Sequence, residues 1–232
     1  MTNSYTTGPN LFRKFLFAGV TLAMSVLFSV SSWGQAATYN FSASAGTYTP
    51  ITGGTAFFTT GASYDDNISA SITIPSFTYS GTAYTVLRVN TNGWVSFGAA
   101  TTTSGYTALS SAITGGNAIL APFAEDQQNS VTSEIRYEDT GTEFVVQWKD
   151  VRRFGTTETL NYQLRLQYAA SPQTFSFVYG NMANGADTNP QVGHKSVIAA
   201  GSIGTTLFNL TLKNIPAGTS CDWINAVRGR LN

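Results

Sequence analysis

Acidic side chains are the residues of this chain whose type and spacing could support a reaction. Hydrolysis of a glycosidic bond needs only two carboxylates held about 5 to 10 Å apart. Glu138-Asp139 and Glu143 flank a Thr140-Gly141 turn, so solvated turn carboxylates are the favoured interpretation of that segment. Glycoside hydrolysis therefore stays open only as an alternative, and its candidates are Glu125, Asp126, Glu134, Glu138 and Glu143.

Two short segments rich in Asp and Asn could bind calcium. Asp65-Asp66-Asn67 and Asp187-Thr188-Asn189 both lie in turn-rich sequence. Calcium takes six to eight oxygen ligands, which the side chains and carbonyl groups of loops readily supply. Neither segment matches an EF-hand loop, and Asp and Asn are also common in turns because their side chains bond to their own backbone. Calcium is therefore the one cofactor that the sequence suggests, with Asp65, Asp66, Asn67, Asp187 and Asn189 as candidate ligands.

A single histidine and a single cysteine limit metal and nucleophile chemistry. Zinc sites need three or four Cys, His or carboxylate ligands, and this chain has one His194 and one Cys221. No G-x-S-x-G nucleophile motif is present to give His194 a partner. We predict that His194 is an exposed histidine at the end of a strand, that Cys221 is a small apolar residue, and that the chain has no catalytic residue.

Aromatic side chains at loop tips could anchor an extracellular ligand. An exposed aromatic ring offers apolar contact area, and a tyrosine adds a polar group. Trp94 and Trp148 lie in strand patterns and are predicted to belong to the core. The candidate ligand-binding residues are Tyr64, Tyr106 and Phe154, and the partner would be a surface glycan or an extracellular protein.

The elements that must position these residues are strands. Apolar and polar residues alternate over 144–148, 160–168 and 175–179, and a period of two is typical of half-buried strands. Ser171-Pro172 marks a turn that predicts a hairpin between the second and third of these runs. Shorter runs at 39–43, 70–74, 84–89, 94–97, 196–199 and 207–212 predict further strands.

Turn and loop signals separate these strands. Asn92-Gly93 is the strongest tight-turn dipeptide in the chain. Ala99 to Asn117 is rich in Thr, Ser and Gly and is predicted to be a surface loop. Many short strands with glycine-rich turns predict an all-β protein, an antiparallel two-sheet β-sandwich of jelly-roll-like type.

The first 36 residues have the pattern of an export signal. Arg13 and Lys14 precede an apolar run over 15–30, and Gly34-Gln35-Ala36 supplies small residues for cleavage after Ala36. The run is shorter than the about 20 residues that span a bilayer core, so a permanent anchor is the weaker interpretation. We expect a signal peptide over 1–36, a single β-sandwich domain over 37–232, an extracellular or outer-surface location and no membrane insertion after removal of the signal.

The charge balance argues against a nucleic-acid partner. The chain has 12 basic and 12 acidic residues, and charged residues make up only 10% of it. No basic excess is therefore present to attract phosphates. The oligomeric state is left open by the composition.

Five motifs in order carry a resemblance to a known family. They lie at 92–98 (NGWVSFG), 119–126 (ILAPFAED), 145–151 (VVQWKDV), 162–166 (YQLRL) and 175–180 (FSFVYG). In this order they resemble the amino-terminal β-sandwich module of large surface proteins of gliding-type Gram-negative bacteria, many of them type IX secretion cargo. More distantly they resemble the nidogen-type extracellular domain. The similarity covers about Tyr39 to Trp223.

The resemblance implies a stalk or adhesion-type module with no catalytic residues to carry over. This chain departs from the pattern at Ala124, where relatives usually have an aromatic residue before the acidic pair. It also lacks the fibronectin-like repeats and the sorting domain expected of type IX cargo, which suggests truncation at the carboxy terminus.

The sequence thus predicts a noncatalytic extracellular or cell-surface module for adhesion, matrix or carbohydrate contact. Two alternatives stay open. One is a secreted β-sandwich glycoside hydrolase, and the other is a purely architectural domain of a larger surface protein.

Overall fold

A computed structural model describes residues 39–99, 105–110, 118–182, 190–197, 203–209 and 219–225. The predicted signal peptide and two candidate calcium ligands, Asp187 and Asn189, lie outside the described residues. Within the described ranges the chain forms fourteen strands, all paired antiparallel.

The larger sheet has the strand order β1-β14-β11-β10-β9-β8-β2, with a short β7 paired to β9. Its strands are β1 (Tyr39–Ala45), β2 (Thr55–Phe58), β7 (Gln127–Gln128), β8 (Glu134–Asp139), β9 (Phe144–Arg153), β10 (Leu160–Gln167), β11 (Thr174–Met182) and β14 (Thr219–Asn225). The predicted hairpin at Ser171-Pro172 is confirmed, because β10 and β11 pair in the register Leu164 to Phe177.

The smaller sheet has the order β13-β12-β6-β5-β4-β3. Its strands are β3 (Ile72–Tyr79), β4 (Thr82–Asn90), β5 (Trp94–Phe97), β6 (Ile119–Ala124), β12 (Gln191–Val197) and β13 (Ile203–Asn209). Asn92-Gly93 forms the predicted tight turn between β4 and β5, with Gly93 N–H donating to the Asn90 carbonyl at 3.2 Å.

The core lies between the two sheets and is rich in aromatic rings. Trp148 of β9 stacks on Tyr162 of β10 at 5.1 Å, and Phe77 of β3 stacks on Phe97 of β5 at 5.8 Å. Aromatic pairs of this geometry add to the free energy of burial. The prediction of an all-β, two-sheet antiparallel sandwich is confirmed, and Trp94 and Trp148 are both fully buried as predicted.

Part of the outer face of the larger sheet is covered by the chain itself. Residues 47–53 connect β1 at one edge to β2 at the other, and they bond to outward-facing glutamines on the way. Gln163 donates to the Thr49 carbonyl at 2.8 Å, and Gln147 accepts from Ile51 N–H at 2.9 Å. Both glutamines are consequently buried, although the polar half of an alternating pattern normally faces water.

A second, smaller apolar cluster lies on the outer face of the smaller sheet. Trp94 and Ile119 contact Ala108 and Leu109, which belong to the predicted surface loop. The loop is therefore not simply solvated, because residues 108–109 are buried while Gly105 and Tyr106 are exposed. Among the described residues no helix is long and apolar enough to cross a membrane.

Candidate functional site

Three loops meet at one end of the sandwich and hold each other through side chains. Asn92, in the β4–β5 turn, donates through its amide to Asp66 Oδ1 at 2.8 Å, and its side-chain oxygen accepts from Gln127 N–H at 2.8 Å. Asn67 N–H donates to Thr91 Oγ1 at 2.9 Å. The turn between β4 and β5 thus ties the loop before β3 to the segment between β6 and β7.

This junction brings three aspartates together, and Glu125 directly precedes one of them in the chain. We call these four residues the acidic loop end: Asp65, Asp66, Glu125 and Asp126. Asp65, Asp66 and Asp126 each offer a carboxylate oxygen, and the three oxygens lie within 4.8 Å of one another. Charges this close in a partly buried setting repel strongly. A divalent cation would replace that repulsion with attraction.

Three carboxyl groups of the acidic loop end have raised pKa values, as expected for acidic groups that are close together and partly buried. Burial raises the pKa of Asp65, and the neighbouring Asp66 charge raises it further. Burial likewise raises the pKa of Asp126, with Asp65 and Asp66 as additional causes. The pKa of Glu125 is raised by burial although Arg153 opposes the shift. The ionised carboxylates are therefore held at a cost that a bound cation would relieve.

Asp65 shows one further feature of a ligand. Its Oδ1 atom is buried and has no hydrogen-bond partner among the described residues. A buried carboxylate oxygen without a partner is costly, and such atoms are usually satisfied by a partner, a water or an ion. The oxygen-only donor set fits calcium better than a softer metal, because calcium prefers carboxylate and carbonyl ligands.

The predicted ligands are only partly the ones that the structure brings together. Asp65 and Asp66 take part, whereas the Asn67 side chain is exposed and accepts from Asp65 N–H at 3.2 Å in a local turn. Asp126 joins them, and as a calcium ligand it was missed. No spacing in the sequence links residue 126 to residue 65, because the fold alone brings these loops together.

The three candidate aromatic anchors have different environments. Tyr64, whose burial the sequence leaves open, is 3% exposed, and its ring packs 4.9 Å from Phe58 in the core. Phe154 is 54% exposed, and its N–H donates to the Asp126 carbonyl at 2.8 Å, which places it beside the acidic loop end. Tyr106 is exposed. Its role and that of Phe154 in ligand binding stay predictions.

The carboxylates proposed for hydrolysis lie in separate groups, and only Glu125 and Asp126 belong to the acidic loop end. Glu125 lies near Arg153 at one end of β9, and Glu143 precedes Phe144 at the other end. Ten residues of strand separate these ends by roughly 30 Å, far beyond the spacing that glycoside hydrolysis requires. Glu134 is bonded to Arg136 at 2.5 Å. Glu125 and Glu143 therefore cannot form a catalytic pair.

His194 is not the exposed strand-end residue that was predicted. It lies in the middle of β12, is fully buried, and its Nδ1 is 2.9 Å from Tyr79 Oη. The rings of Tyr39 and Phe175 lie 5.1 and 5.5 Å away. Burial lowers the pKa of His194 to about 4. The prediction failed because the neighbours of His194 in sequence, a glycine and a lysine, are typical of an exposed segment. His194 and Val192 are two residues apart on one strand, so both face inward.

Comparison with known proteins gives a family. The family model described as NIDO related matches residues 38–223. Alpha-tectorin of Mus musculus is 32% identical over 161 residues, covering 67% of this chain and 7% of alpha-tectorin. Human alpha-tectorin is 31% identical over 161 residues with the same coverage. No solved structure matches the chain.

These matches confirm the distant nidogen-type resemblance and support an extracellular, matrix-type module. The narrower resemblance to surface modules of gliding-type bacteria, and the type IX route, stay predictions. The chain spans only 7% of the length of the alpha-tectorins, so the comparison concerns this one module. Over residues 38–223, nearly all of the described structure, the chain belongs to the NIDO-related family.

Proposed function

We propose that this protein is a noncatalytic extracellular recognition module whose acidic loop end binds calcium and contacts a glycan or matrix protein. The observation that carries the proposal is the convergence of Asp65, Asp66 and Asp126, with carboxylate oxygens within 4.8 Å of one another. The NIDO-related family and the alpha-tectorin similarity support the extracellular setting.

Calcium would act here as a structural and recognition cofactor. Asp65, Asp66 and Asp126 would hold it, and its charge would oppose the burial and the neighbouring charges that raise the pKa of Asp65 and Asp126. These residues lie on two loops from separate parts of the chain, so an ion bound between them would fasten the end of the sandwich. Phe154, exposed beside Asp126, offers an apolar ring on which a sugar or an aliphatic side chain could pack.

Calcium is expected to raise the melting temperature, and Asp126→Asn is expected to remove this effect. At a hundredfold excess over Kd, the rise should be about 5 to 10 °C for a domain of this size. Without calcium, Asp126→Asn should be as stable as the wild type or more so, because a neutral amide removes repulsion from Asp65 and Asp66. Thermal denaturation with and without calcium measures both effects.

Glu138→Gln is the matched control, because it removes a carboxylate on β8, away from the three aspartates of the acidic loop end. It should retain the full calcium response, whereas Asp126→Asn should weaken the calcium Kd at least about tenfold, since the number of charged ligands tunes affinity. Equal calcium responses in the wild type and Asp126→Asn would contradict the site. So would the absence of any response in the wild type.

The recognition role is tested by a binding screen against glycans and matrix proteins, with and without calcium. We expect saturable binding that Phe154→Ala weakens at least about fivefold, the loss of roughly 1 kcal/mol for one exposed aromatic contact. Val131→Ala, which shortens an 85% exposed apolar side chain on another loop, should bind normally.

Two outcomes of this screen count against the proposal. Saturable turnover on a polysaccharide panel that Glu125→Gln abolishes would identify an enzyme. Absence of binding to every ligand, in a protein that nevertheless responds to calcium, would favour an architectural part of a larger surface protein.

A further inference from the structure

The smaller sheet carries positive charge without any acidic residue. Its six strands contain Arg88 and Lys195 but no Asp or Glu. The loop sequence over 99–117, which follows β5, also contains neither. Arg88 belongs to none of the four ion pairs found among the described residues. The carboxylates that pair with Arg136, Arg153 and Arg165 lie on the larger sheet and in its loops.

Arg88 faces outward from the sandwich, opposite Ser96. The two residues are direct register partners on β4 and β5. The flanking residues Leu87 and Val95 belong to the core between the sheets, so Arg88 and Ser96 both lie on the other face. Directly opposed residues of an antiparallel pair have Cβ atoms about 5 Å apart, which lets their polar atoms share one ligand.

Both of these side chains have a buried polar atom without a partner. Arg88 NH1 donates to the Ser69 carbonyl at 3.2 Å, but Arg88 Nε is buried and makes no hydrogen bond among the described residues. Ser96 is 1% exposed, and its Oγ is likewise buried and without a partner there. Two donors left unsatisfied on facing strands are costly, and a single acceptor placed between them would satisfy both.

The electrostatics favour an acceptor that is negatively charged. A hydrogen bond from a guanidinium to an anion is roughly twice as strong as a neutral one. Lys195 lies in the same row of the sheet, since both Ser96 and Lys195 are paired with Ile119. Two strand spacings place it about 10 Å from Ser96, close enough to add positive potential in a weakly solvated setting.

We propose that Arg88 Nε and Ser96 Oγ form a binding site for a small anion on the outer face of the smaller sheet. The ligand is an anionic oxygen of a compact species such as formate, because Ser96 is too deeply buried to admit a bulky group. Arg88 is only partly buried, which gives the site a path to solvent along its side chain. The site lies on the face that carries the cluster of Trp94 and Ile119 and is separate from the acidic loop end.

The test is titration of the purified protein with sodium formate, followed by thermal denaturation and isothermal titration calorimetry. The wild type should show a saturable heat of binding and a saturable rise of about 5 to 10 °C in melting temperature at a hundredfold excess over Kd. Arg88→Met should show neither. The added salt screens charges in the wild type and in Arg88→Met alike. The difference between their formate responses therefore reports binding at this site.

Ser96→Ala keeps the test decisive if Arg88→Met fails to fold. Removing an unsatisfied buried hydroxyl should leave the anion-free protein at least as stable as the wild type. The formate Kd should nevertheless weaken about tenfold, the effect of one lost hydrogen bond. Arg165→Met, on the larger sheet, is the control and should retain the wild-type response.

Equal formate responses in the wild type and Ser96→Ala would overturn the proposal. A wild type with no saturable response would overturn it as well, since water then satisfies these two donors.

Discussion

Replacing Gly93 with alanine is expected to lower the free energy of unfolding by about 2 to 5 kcal/mol, from backbone strain and overpacking together. Gly93 has a φ of +79°, in the left-handed region that residues with a Cβ rarely adopt. An added Cβ would overlap the Phe123 carbonyl and lie 2.6 Å from both Gln127 Nε2 and Tyr162 Oη. Urea denaturation measures the loss: the midpoint urea concentration should fall while the dependence of the unfolding free energy on urea stays unchanged.

Gly93→Ala is also expected to disturb the acidic loop end, because the residues that an added Cβ would displace hold that end in place. Tyr162 donates to Gln127 Oε1 at 2.7 Å, Gln127 Nε2 donates to the Phe123 carbonyl at 2.7 Å, and Gln127 N–H is held by Asn92. A displaced Gln127 would shift Asn92 and with it Asp66. If calcium binds as proposed, Gly93→Ala should weaken it as well.

Gly141→Ala is the control for Gly93→Ala. Gly141 has a φ of +88°, but an added Cβ there would meet nothing within 4 Å. Its cost should therefore be only the strain of the backbone, about 1 to 2 kcal/mol. If the two substitutions lowered the free energy of unfolding equally, the close contacts at Gly93 would not explain the loss of stability in Gly93→Ala.

Acidification is expected to destabilise the protein through His194. The pKa of His194 is about 4 in the folded state, because burial disfavours the charged ring, against 6.5 when exposed. Between these values the unfolded chain binds more protons than the folded one. The contribution of His194 to stability is therefore fully present above pH 6.5 and is lost as the pH drops towards 4. The full loss corresponds to roughly 3 kcal/mol.

His194→Gln isolates this contribution from the carboxylates. Glutamine stays neutral and can still bond to Tyr79, so the variant should lose less stability than the wild type between pH 6.5 and 4. The raised pKa values of Asp65, Glu125 and Asp126 act in the opposite direction in both proteins, since their protonation favours the folded state. Parallel stability curves for wild type and variant over this range would show that His194 does not titrate as expected.

Local patterns were enough to predict the sandwich. Alternation over 144–148 and 160–168 reflects the two faces of a strand, a property of the backbone that needs no partner to be recognised. Asn92-Gly93 predicted its turn because glycine adopts a positive φ without strain. The five ordered motifs indicated a distant nidogen-type resemblance, which the match over residues 38–223 confirms, whereas the narrower resemblance to gliding-type bacterial modules stays a prediction.

Patterns of alternation did not reveal what covers each face. Gln147 and Gln163 have the polar, outward phase of their strands, yet residues 47–53 cross over them and exclude water. Tyr64 lies in a loop by its neighbours in sequence, yet it packs on Phe58. Burial depends on which distant segment lies above a residue, and that information is not local.

The sequence by itself determined the class of the fold, the turn at Gly93 and the adjacent pair of carboxylates at Asp65 and Asp66. Only the tertiary structure brought Asp126 to those two carboxylates, enclosed His194 among aromatic rings, and set Arg88 opposite Ser96 in a sheet whose described strands carry no acidic residue. The physical reason is that strand propensity and turn chemistry act over a few neighbouring residues. Charge repulsion, burial and shared ligands act through space, between segments that only the antiparallel pairing of the sheets brings together.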